Sequence, residues 1–587
     1  MTSDLALIGN CSFSALLRKG SVEWMCWPRP DSSFVFGPLL DRERGGVFTV
    51  EGVETSQVTQ EYLENTNVLR TVFSGPEGQF ELLDFAPRFN QFDRFFKPLM
   101  LVRIMRPLAG EPRARVRCVP TYDYGLVEPH SWRASNHIEY RGLPAPVRLT
   151  TNVPLTYIED ERPFLVERDL HLVLTWGQPL EAALEDTAER FYERTVDYWR
   201  RWVKATRAPR DYQREVIRSA LVLKLHQYED TGALLAATTT SLPEHPGSGR
   251  TWDYRYCWLR DAYFTLNALE RLGHSEEMER FLNYLRNLAD ERDGYLQPAY
   301  RINGSPSAPE RELDHLDGWE GEKPVRVGNQ AFEHLQNDVY GEMVLAVSRL
   351  FLDTRFVGEI PPSTAVGIVR TLVDQIAARL EEPDAGPWEF RERTRLHGFT
   401  VLMHWAGARR AVEIADALGE QELAAEARQL ELRAAELLDA KVWNEEVGAL
   451  TQVAGETQLD AALLLAVHLG YLTADDPRAL RHVVAIREAL SVNGSLLKRY
   501  STPDDFGVPK AAFLVCTFWL VEALALLGHK DEARDIFERL LELHNGLGLY
   551  AENILPDTLQ QSGNFPQTYS HVGLINAAFR LSRHWED

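Results

Sequence analysis

The chain has 587 residues, of which 44% are hydrophobic and 25% are charged, and its formal net charge is −23 at pH 7. This length exceeds what one hydrophobic core supports and predicts two large domains, while the composition is typical of a folded globular protein rather than a disordered or fibrous one. The negative charge excludes polyanionic partners such as nucleic acid or an anionic membrane surface, because like charges repel.

The amino-terminal segment and the cysteines indicate where the protein acts. No basic stretch followed by an apolar core opens the sequence, and no run of about 18 apolar residues occurs, so we expect neither a signal peptide nor a membrane span. The five cysteines are odd in number, scattered and without CxxC spacing. This pattern is typical of free thiols in a reducing cytoplasm, where we expect the protein to be located.

The first third of the chain has the pattern of an antiparallel β-structure. Short runs rich in β-branched residues are separated by turns that contain Gly and Pro. The runs lie at 46–50, 67–73, 80–84, 99–105, 114–119, 147–151 and 170–176. Many short strands with regular turn signals predict an antiparallel sandwich or barrel. We predict an N-terminal β-sandwich domain over residues 1–180, followed by a helical linker over residues 181–207.

From residue 208 onward, apolar residues recur with a period near 3.6, which predicts helices. The predicted helices lie at 210–228, 260–272, 276–290, 329–352, 363–381, 399–418, 420–441, 457–470, 476–489, 511–527, 531–544 and 569–584. They fit either a helical solenoid or a closed toroid of six hairpins, in which apolar inner helices alternate with amphipathic outer ones. We favour the toroid, because segment 511–527 has the inner pattern and segment 531–544 has the outer one.

Long non-helical segments interrupt the predicted helices. They lie at 229–259, 291–328, 382–398, 490–510 and 545–568. Loops longer than about 15 residues are uncommon unless they are functional. These segments also contain unusual clusters of aromatic and charged residues, so we expect the active site to be built from them.

The richest of these clusters spans residues 250–261 and alternates aromatic with charged side chains. Aromatic rings pack on the apolar face of a sugar, and Arg and Asp side chains form directional hydrogen bonds with its hydroxyl groups. A packed loop with a structural ion pair explains the cluster equally well.

Further loops each present a glutamate. Glu389 follows the indole of Trp388, which can exclude water and raise the pKa of the carboxyl towards that of a general acid. Glu552 lies in a Gly-rich loop among apolar neighbours. Taken alone, Glu389 is also explained as a solvated surface carboxylate and Glu552 as a carboxylate bonded by loop amides.

Motifs for other chemistries are absent from the sequence. It contains no GxxxxGK[ST] or GxGxxG loop that opens a helix after a strand, and no HExxH, EF-hand or GxSxG pattern. The 16 histidines are scattered and show no i, i+4 ligand pairing with a nearby Glu. We therefore expect neither a metal ion nor a cofactor.

Taken together, several segments resemble family 15 of the inverting glycoside hydrolases, which includes glucoamylases, glucodextranases and one class of trehalases. The segments are 8–10, 20–32, 238–244, 252–261 and 564–571, so the resemblance covers nearly the whole chain. It implies an α+β protein in which an N-terminal antiparallel β-sandwich is followed by an (α/α)6 catalytic barrel over residues 208–587.

The resemblance also implies roles for individual residues. Glu389 would protonate the glycosidic oxygen as the general acid, and Glu552 would activate water as the general base. The implied substrate-binding residues are Tyr254, Trp258, Arg260, Asp261, Trp388 and Arg499. In an inverting enzyme the two carboxyl groups lie about 6.5–9.5 Å apart, so that a water molecule fits between the base and the sugar.

The sequence thus predicts an inverting, exo-acting hydrolase that releases β-glucose from the non-reducing end of malto- or isomalto-oligosaccharides. The partner is a small oligosaccharide or disaccharide. The motif around Glu552 departs from the family pattern by continuing as Asn553-Ile-Leu-Pro-Asp557, which leaves the substrate open. The alternatives are a trehalase of the same family, an inverting phosphorylase in which a phosphate pocket replaces the base, and a non-catalytic sugar-binding protein.

Overall fold

The structure is a computed structural model that describes residues 4–290, 295–356 and 361–586. Several parts of the sequence predictions lie outside the described residues. They are residues 1–3 of the predicted sandwich, 291–294 of the predicted loop, 357–360 between two predicted helices, and 587.

The first part of the chain is built from antiparallel strands. The strands are β1 (Ala6–Gly9), β2 (Ser14–Arg18), β3 (Ser21–Cys26), β4 (Phe34–Phe36), β5 (Val47–Gly52), β6 (Gln57–Tyr62), β7 (Leu69–Gly75), β8 (Gly78–Phe85), β9 (Phe89–Gln91), β10 (Arg94–Phe96), β11 (Met100–Gly110), β12 (Arg113–Val119), β13 (His130–Arg133), β14 (His137–Arg141), β15 (Val147–Thr151), β16 (Phe164–Leu165) and β17 (Leu170–Trp176). One sheet has the order β1-β2-β3-β5-β12-β16, with β4 paired to β3, and the other has the order β13-β14-β15-β17-β11-β8-β7-β6. β9 and β10 form a separate hairpin.

Alternating burial gives the two larger sheets a common core. In β12 the side chains of Ala114, Val116 and Cys118 are buried, while the residues between them are more exposed. This period of two is what a strand with one buried face requires. The buried side chains of β12 belong to the same hydrophobic cluster as Leu82 of β8 and Leu172 of β17 in the other sheet.

Helices make up the rest of the chain. They are α1 (Leu155–Glu159), α2 (Leu184–Ala205), α3 (Gln213–His226), α4 (Leu259–Arg271), α5 (Ser275–Asp290), α6 (Asp338–Leu352), α7 (Pro362–Arg379), α8 (Gly398–Leu418), α9 (Gln421–Leu437), α10 (Leu465–His468), α11 (Pro477–Leu490), α12 (Leu514–Leu526), α13 (Lys530–Leu541) and α14 (Thr568–Leu581). Paired two-residue strands order the loops between them. These are β18 (Gln227–Tyr228), β19 (Ala233–Leu234), β20 (Cys257–Trp258), β21 (Ala299–Tyr300), β22 (Arg311–Glu312), β23 (Arg326–Val327), β24 (Trp443–Asn444), β25 (Ala449–Leu450), β26 (Ser491–Val492), β27 (Leu496–Leu497), β28 (Ala512–Phe513), β29 (Asn553–Ile554) and β30 (Gln561–Ser562).

Most predicted helices are confirmed to within a few residues, but the helices predicted at 329–352 and 457–470 differ. The first begins only at Asp338, because Gln330–Glu333 forms a separate 3-10 turn. The second is a 3-10 turn, Ala461–Leu464, followed by the short α10, and it begins where the Asp460 carboxylate accepts a hydrogen bond from the Ala462 amide. In both places apolar residues recur at helical spacing within a polar loop, and this pattern led to the prediction of a longer helix.

Alternate helices contact one another in a closed circuit. α4 contacts α6, α6 contacts α8, α8 contacts the 3-10 turn before α10, that turn contacts α12, α12 contacts α14, and α14 contacts α4. α12 is buried along nearly its whole length, whereas α13 buries only one face and packs outside against α12 and α14. This circuit places the starts of alternate helices around one opening.

A buried ion network fastens the sheets to the helices. Arg88 of the sheet region donates to Glu229 at 2.9 Å, and Lys224 lies 2.7 Å from Glu229 and 2.8 Å from Glu277. All four side chains are at most 2% exposed. Buried charges require such partners, since an unpaired one costs several kcal/mol. The network therefore holds the two regions in a fixed position.

The structure adds findings on membranes, metals and thiols. No helix within the described ranges is long and apolar enough to span a membrane. Among the same residues, no group of three or more His, Cys, Asp or Glu side chains is arranged to hold a metal ion. The cysteines in the described part of the chain are all buried and unpaired.

Candidate active site

A cavity at the starts of α4, α12 and α14 brings together all eight residues that the sequence analysis selected. They are Tyr254, Trp258, Arg260, Asp261, Trp388, Glu389, Arg499 and Glu552. Phe513 and Gln567, which precede α12 and α14, also line it, as does Tyr569. The eight predicted residues, which are separated by up to 298 positions, thus share one hollow.

The aromatic cluster before α4 serves two purposes. Tyr254 and Trp258 line the cavity, with their rings edge to face at 5.5 Å. Asp253 and Arg255 point elsewhere and form a fully buried ion pair at 2.7 Å. Arg255 also donates to the backbone carbonyl of Ser32 in the sheet region at 2.6 Å. The cluster therefore contains both the cavity wall and the structural ion pair that the sequence left as alternatives.

Glu389 is held in an unfavourable backbone conformation. Its φ of +65° lies in the left-handed region, which costs a residue with a side chain about 1–2 kcal/mol and is concentrated at functional sites. Its Oε1 accepts hydrogen bonds from Trp258 Nε1 at 2.6 Å and from Arg260 Nη2 at 3.2 Å. No donor among the described residues bonds to Oε2, so Oε2 is the oxygen that can carry a proton.

Arg260 connects Glu389 to the helices. Its Nη1 donates to Gln336 Oε1 at 2.7 Å and its Nε donates to the Tyr569 hydroxyl at 3.2 Å. The neighbouring Asp261 lines the same cavity, and burial raises the pKa of its carboxyl to about 7. The bonds to Gln336 and Tyr569 therefore fix the guanidinium that binds the Glu389 carboxyl.

Glu552 is held by two donors and is 2% exposed. Tyr254 donates its hydroxyl to Oε1 at 2.9 Å, and Asn553 Nδ2 donates to Oε2 at 2.9 Å. Burial raises the pKa of the Glu552 carboxyl to about 8 and the charge of Glu244 adds to this rise, while Arg499 and the Tyr254 hydrogen bond act against it. The two donors therefore hold the carboxyl in one orientation.

The indole that precedes Glu389 in the sequence is not the one that bonds to its carboxyl. Trp388 Nε1 donates instead to Asp460 Oδ2 at 2.7 Å, and the indole that bonds to the Glu389 carboxyl is that of Trp258. Glu389 is also the more exposed glutamate, with 21% of its side chain accessible. Trp388 thus lines the cavity wall, as predicted, but does not shield the carboxyl as we expected.

Glu244 is a site residue that the sequence analysis missed. Its carboxylate accepts two hydrogen bonds from Arg499 Nη2, at 2.6 and 2.5 Å, and a third from Trp252 Nε1 at 3.1 Å. The only signal in the sequence was its position at the end of segment 238–244, in a long loop. Nothing in that loop shows that it lies beside a residue 255 positions away.

A second cavity adjoins the first and shares Tyr254, Trp388, Glu389 and Arg499 with it. Its remaining lining residues are Glu244, Arg250, Trp252, Asn329, His334, Phe390, Arg391, Tyr500, Asp504, Asp505 and Phe506. Apart from Asn329 and His334, they come from the long loops in which the sequence analysis expected the site. The two hollows meet at the four residues that they share.

The chain is similar to known proteins both in sequence and in fold. The family model described as "Glycosyl hydrolases family 15" matches residues 210–579, and a model described as "Trehalase-like, N-terminal" matches residues 3–160. The protein named "Trehalase" of Mycolicibacterium smegmatis is 34% identical, over 100% of this chain and 92% of that protein. The "Trehalase" of Mycobacterium tuberculosis is 32% identical over 100% and 90%, and that of Thermoplasma volcanium is 31% identical over 98% and 92%.

A solved structure shares the fold. It is described as a bacterial glucoamylase complexed with acarbose, and its TM-score to this chain is 0.70 over 98% of this chain and 94% of that one. At 15% sequence identity, the similarity concerns the arrangement of the sheet region and the helical region rather than the chemistry of the site.

Gly563 is expected to be essential for the position of Glu552. A Cβ atom at Gly563 would lie 2.7 Å from Glu552 Oε2, and its φ is +80°. Gly494, at φ +84°, has open space at the same position and serves as the matched control. We expect G563A and G494A each to lose about 1 kcal/mol of stability from the left-handed backbone, and only G563A to displace the Glu552 carboxylate.

Thermal unfolding and crystal structures of both variants measure these effects. A Glu552 carboxylate that keeps its position in the G563A structure would contradict the prediction.

Proposed function

The chain belongs to glycosyl hydrolase family 15, and from this premise we propose that it hydrolyses α,α-trehalose to two glucose molecules with inversion at the attacked carbon. The observation that carries the proposal is that Glu389 and Glu552 line one cavity, together with the polar and aromatic residues that a sugar requires. A paired acid and base of this kind is the equipment of an inverting glycoside hydrolase.

The choice of trehalose as the substrate rests on the similarity of the chain to its relatives. Proteins named trehalase match this chain at 31–34% identity over nearly its full length. The glucoamylase structure is 15% identical and supports only the fold. We therefore prefer the trehalase alternative to our first prediction from the sequence, an enzyme for malto- or isomalto-oligosaccharides.

The shape of the site supports a disaccharide. In our proposal the first cavity binds the glucose whose bond is broken, and the second binds the departing glucose. Glu389 is among the residues that line both cavities, which supports a position beside the bond between the two rings. Arg499 also lines both and is fixed by Glu244.

Glu389 is the proposed general acid. Its Oε1 is occupied by Trp258 and Arg260, so the proton on Oε2 passes to the bridging oxygen as the glycosidic bond breaks. The departing glucose leaves with its own α-configuration. Because Oε1 is held by two donors, the carboxylate that remains is stabilised without moving.

Glu552 is the proposed general base. As a carboxylate it takes a proton from a water molecule, whose oxygen attacks the anomeric carbon from the face opposite the departing oxygen and gives β-glucose. The hydrogen bonds from Tyr254 and Asn553 keep both carboxyl oxygens in place during this step. One proton enters the leaving group and one is taken from water, so the two glutamates exchange protonation states.

The proposed domain division follows the elements of the structure. Residues 1–180 form the β-sandwich, 181–207 connect it, and 208–587 form an (α/α)6 barrel in which the circuit of alternate helices is the inner ring. The shared core of the two sheets and the contacts that return from α14 to α4 support this division.

We propose the cytoplasm as the compartment of this activity. The unpaired buried cysteines of the described residues support it, because thiols persist in a reducing environment.

Assays of glucose release from trehalose, maltose, isomaltose and dextrin test the proposal. We expect trehalose to be cleaved with a kcat/KM at least about tenfold above the others, since a complete set of hydroxyl contacts to the departing sugar discriminates strongly. Proton NMR of the first products of trehalose should show equal amounts of α- and β-glucose before they interconvert.

Preferential cleavage of maltose or dextrin would instead support a glucoamylase-type enzyme. Initial release of α-glucose alone would indicate a retaining mechanism, and formation of glucose 1-phosphate in phosphate buffer would indicate a phosphorylase. Binding of trehalose without turnover would leave a sugar-binding protein.

The glutamine variants E389Q and E552Q are expected to lose turnover of trehalose by about 10²–10⁴-fold, because each removes a proton-transfer group. α-Glucosyl fluoride separates the two roles, since fluoride leaves without a proton. On that substrate E389Q should recover most of its activity, and E552Q should not. E392Q makes the same change at an exposed position three residues beyond Glu389 and should remain fully active; equal recovery by both site variants would refute the assignment.

The Tyr254→Phe variant is expected to shift the pH dependence of kcat/KM. The base must be ionised, so activity is lost as the pH falls through the pKa of Glu552. Tyr254 stabilises the ionised form by a hydrogen bond, and its loss, about 1.5 kcal/mol, should move the acidic limb upward by about one pH unit. Y256F removes a hydroxyl that bonds to Asp253 instead and should leave the limb in place, so equal shifts in both variants would be evidence against the role of Tyr254.

A further inference from the structure

His334 has unsatisfied hydrogen-bonding groups in the second cavity. It lines this cavity, and both of its ring nitrogens are buried without a hydrogen-bond partner among the described residues. Buried polar groups in folded proteins are almost always bonded, and leaving one unmet costs about 1–3 kcal/mol. A ligand bound in this cavity can supply the hydrogen bonds that both nitrogens of this imidazole lack.

The backbone holds His334 beside the proposed acid. The residue ends the 3-10 turn Gln330–Glu333, and its amide donates to the carbonyl of Ala331 at 3.1 Å. The next carbonyl, that of Leu335, accepts from the Ala385 amide at 2.9 Å and so ties this segment to the loop that presents Glu389. The ring is therefore placed by hydrogen bonds of the main chain, which leave its nitrogens available.

The chemistry around the ring favours a neutral ligand. Burial lowers the pKa of His334, Glu389 raises it, Arg391 lowers it, and Glu333 and Asp505 raise it, with a net lowering that keeps the ring uncharged at neutral pH. A neutral imidazole has one donor and one acceptor. A sugar hydroxyl also both donates and accepts, so one or two hydroxyl groups satisfy the ring where an anion or a cation would satisfy only one nitrogen.

We propose that His334 is a specificity-determining residue that binds hydroxyl groups of the departing glucose. This inference rests on the proposed function and goes beyond it, because it assigns the recognition of the second sugar to a residue outside the acid–base pair. If the departing group has no hydroxyls, the buried ring of His334 keeps its nitrogens without hydrogen bonds. The free-energy cost of such an unpaired polar group makes a site reject the wrong substrate.

The test compares trehalose, which has a departing sugar, with α-glucosyl fluoride, which has none. We expect H334A to lose about 10- to 100-fold in kcat/KM on trehalose and to stay within about twofold of the unchanged protein on α-glucosyl fluoride. H334N, which retains a donor and an acceptor, should recover part of the loss. E392A, at an exposed position outside the lining of both cavities, is the control and should match the unchanged protein on both substrates.

Each other outcome decides against the inference. H334A with normal activity on trehalose overturns it and leaves the proposed function intact. Equal losses on both substrates also overturn it, since His334 would then support the first cavity or the fold. An unchanged protein that cleaves α-glucosyl fluoride but not trehalose overturns the proposed function itself, and this result is obtained before any variant is made.

Discussion

A buried guanidinium needs a partner for each of its donors, and Arg260 finds them on separate parts of the chain. The residue stands at the start of α4 and bonds to Gln336 before α6, to Tyr569 on α14 and to Glu389 in the loop before α8. Since a buried charge without partners is strongly destabilising, these parts of the chain cannot shift independently. The helical circuit and the orientation of Glu389 are therefore maintained by the same side chain.

A second arrangement of this kind reaches the sheet region. Arg255 lies five residues before Arg260 and is fully buried, but it faces away from the cavity, towards Asp253 and the Ser32 carbonyl. The two arginines thus hold both ends of the segment that carries the aromatic residues between them. This explains how Glu389 is kept in its strained backbone conformation, since such strain persists only where the surroundings over-determine it.

Much of this architecture was predictable from the sequence. The 3.6-residue period located α8, α12 and α13 closely, and the family resemblance selected eight residues that line one cavity. The predictions that failed concern contacts in the folded chain, which the hydrophobic periodicity of a sequence does not reveal. Segment 329–337 has apolar residues at helical spacing but forms a 3-10 turn and an extended stretch, and so His334 was missed. The pairing of Glu244 with Arg499 depends on how long loops fold over the helix starts, which a single sequence does not define.

The starts of α4, α12 and α14 all border the first cavity. Each peptide dipole along a helix adds to its neighbours, so that the amino-terminal end of a helix presents about half a positive elementary charge. The backbone thereby adds an electropositive contribution to that of the Arg260 and Arg499 guanidinium groups, beside the carboxyl groups that line the cavity. In a protein of net charge −23, this contribution comes from the main chain, so no side-chain substitution on the surface removes it.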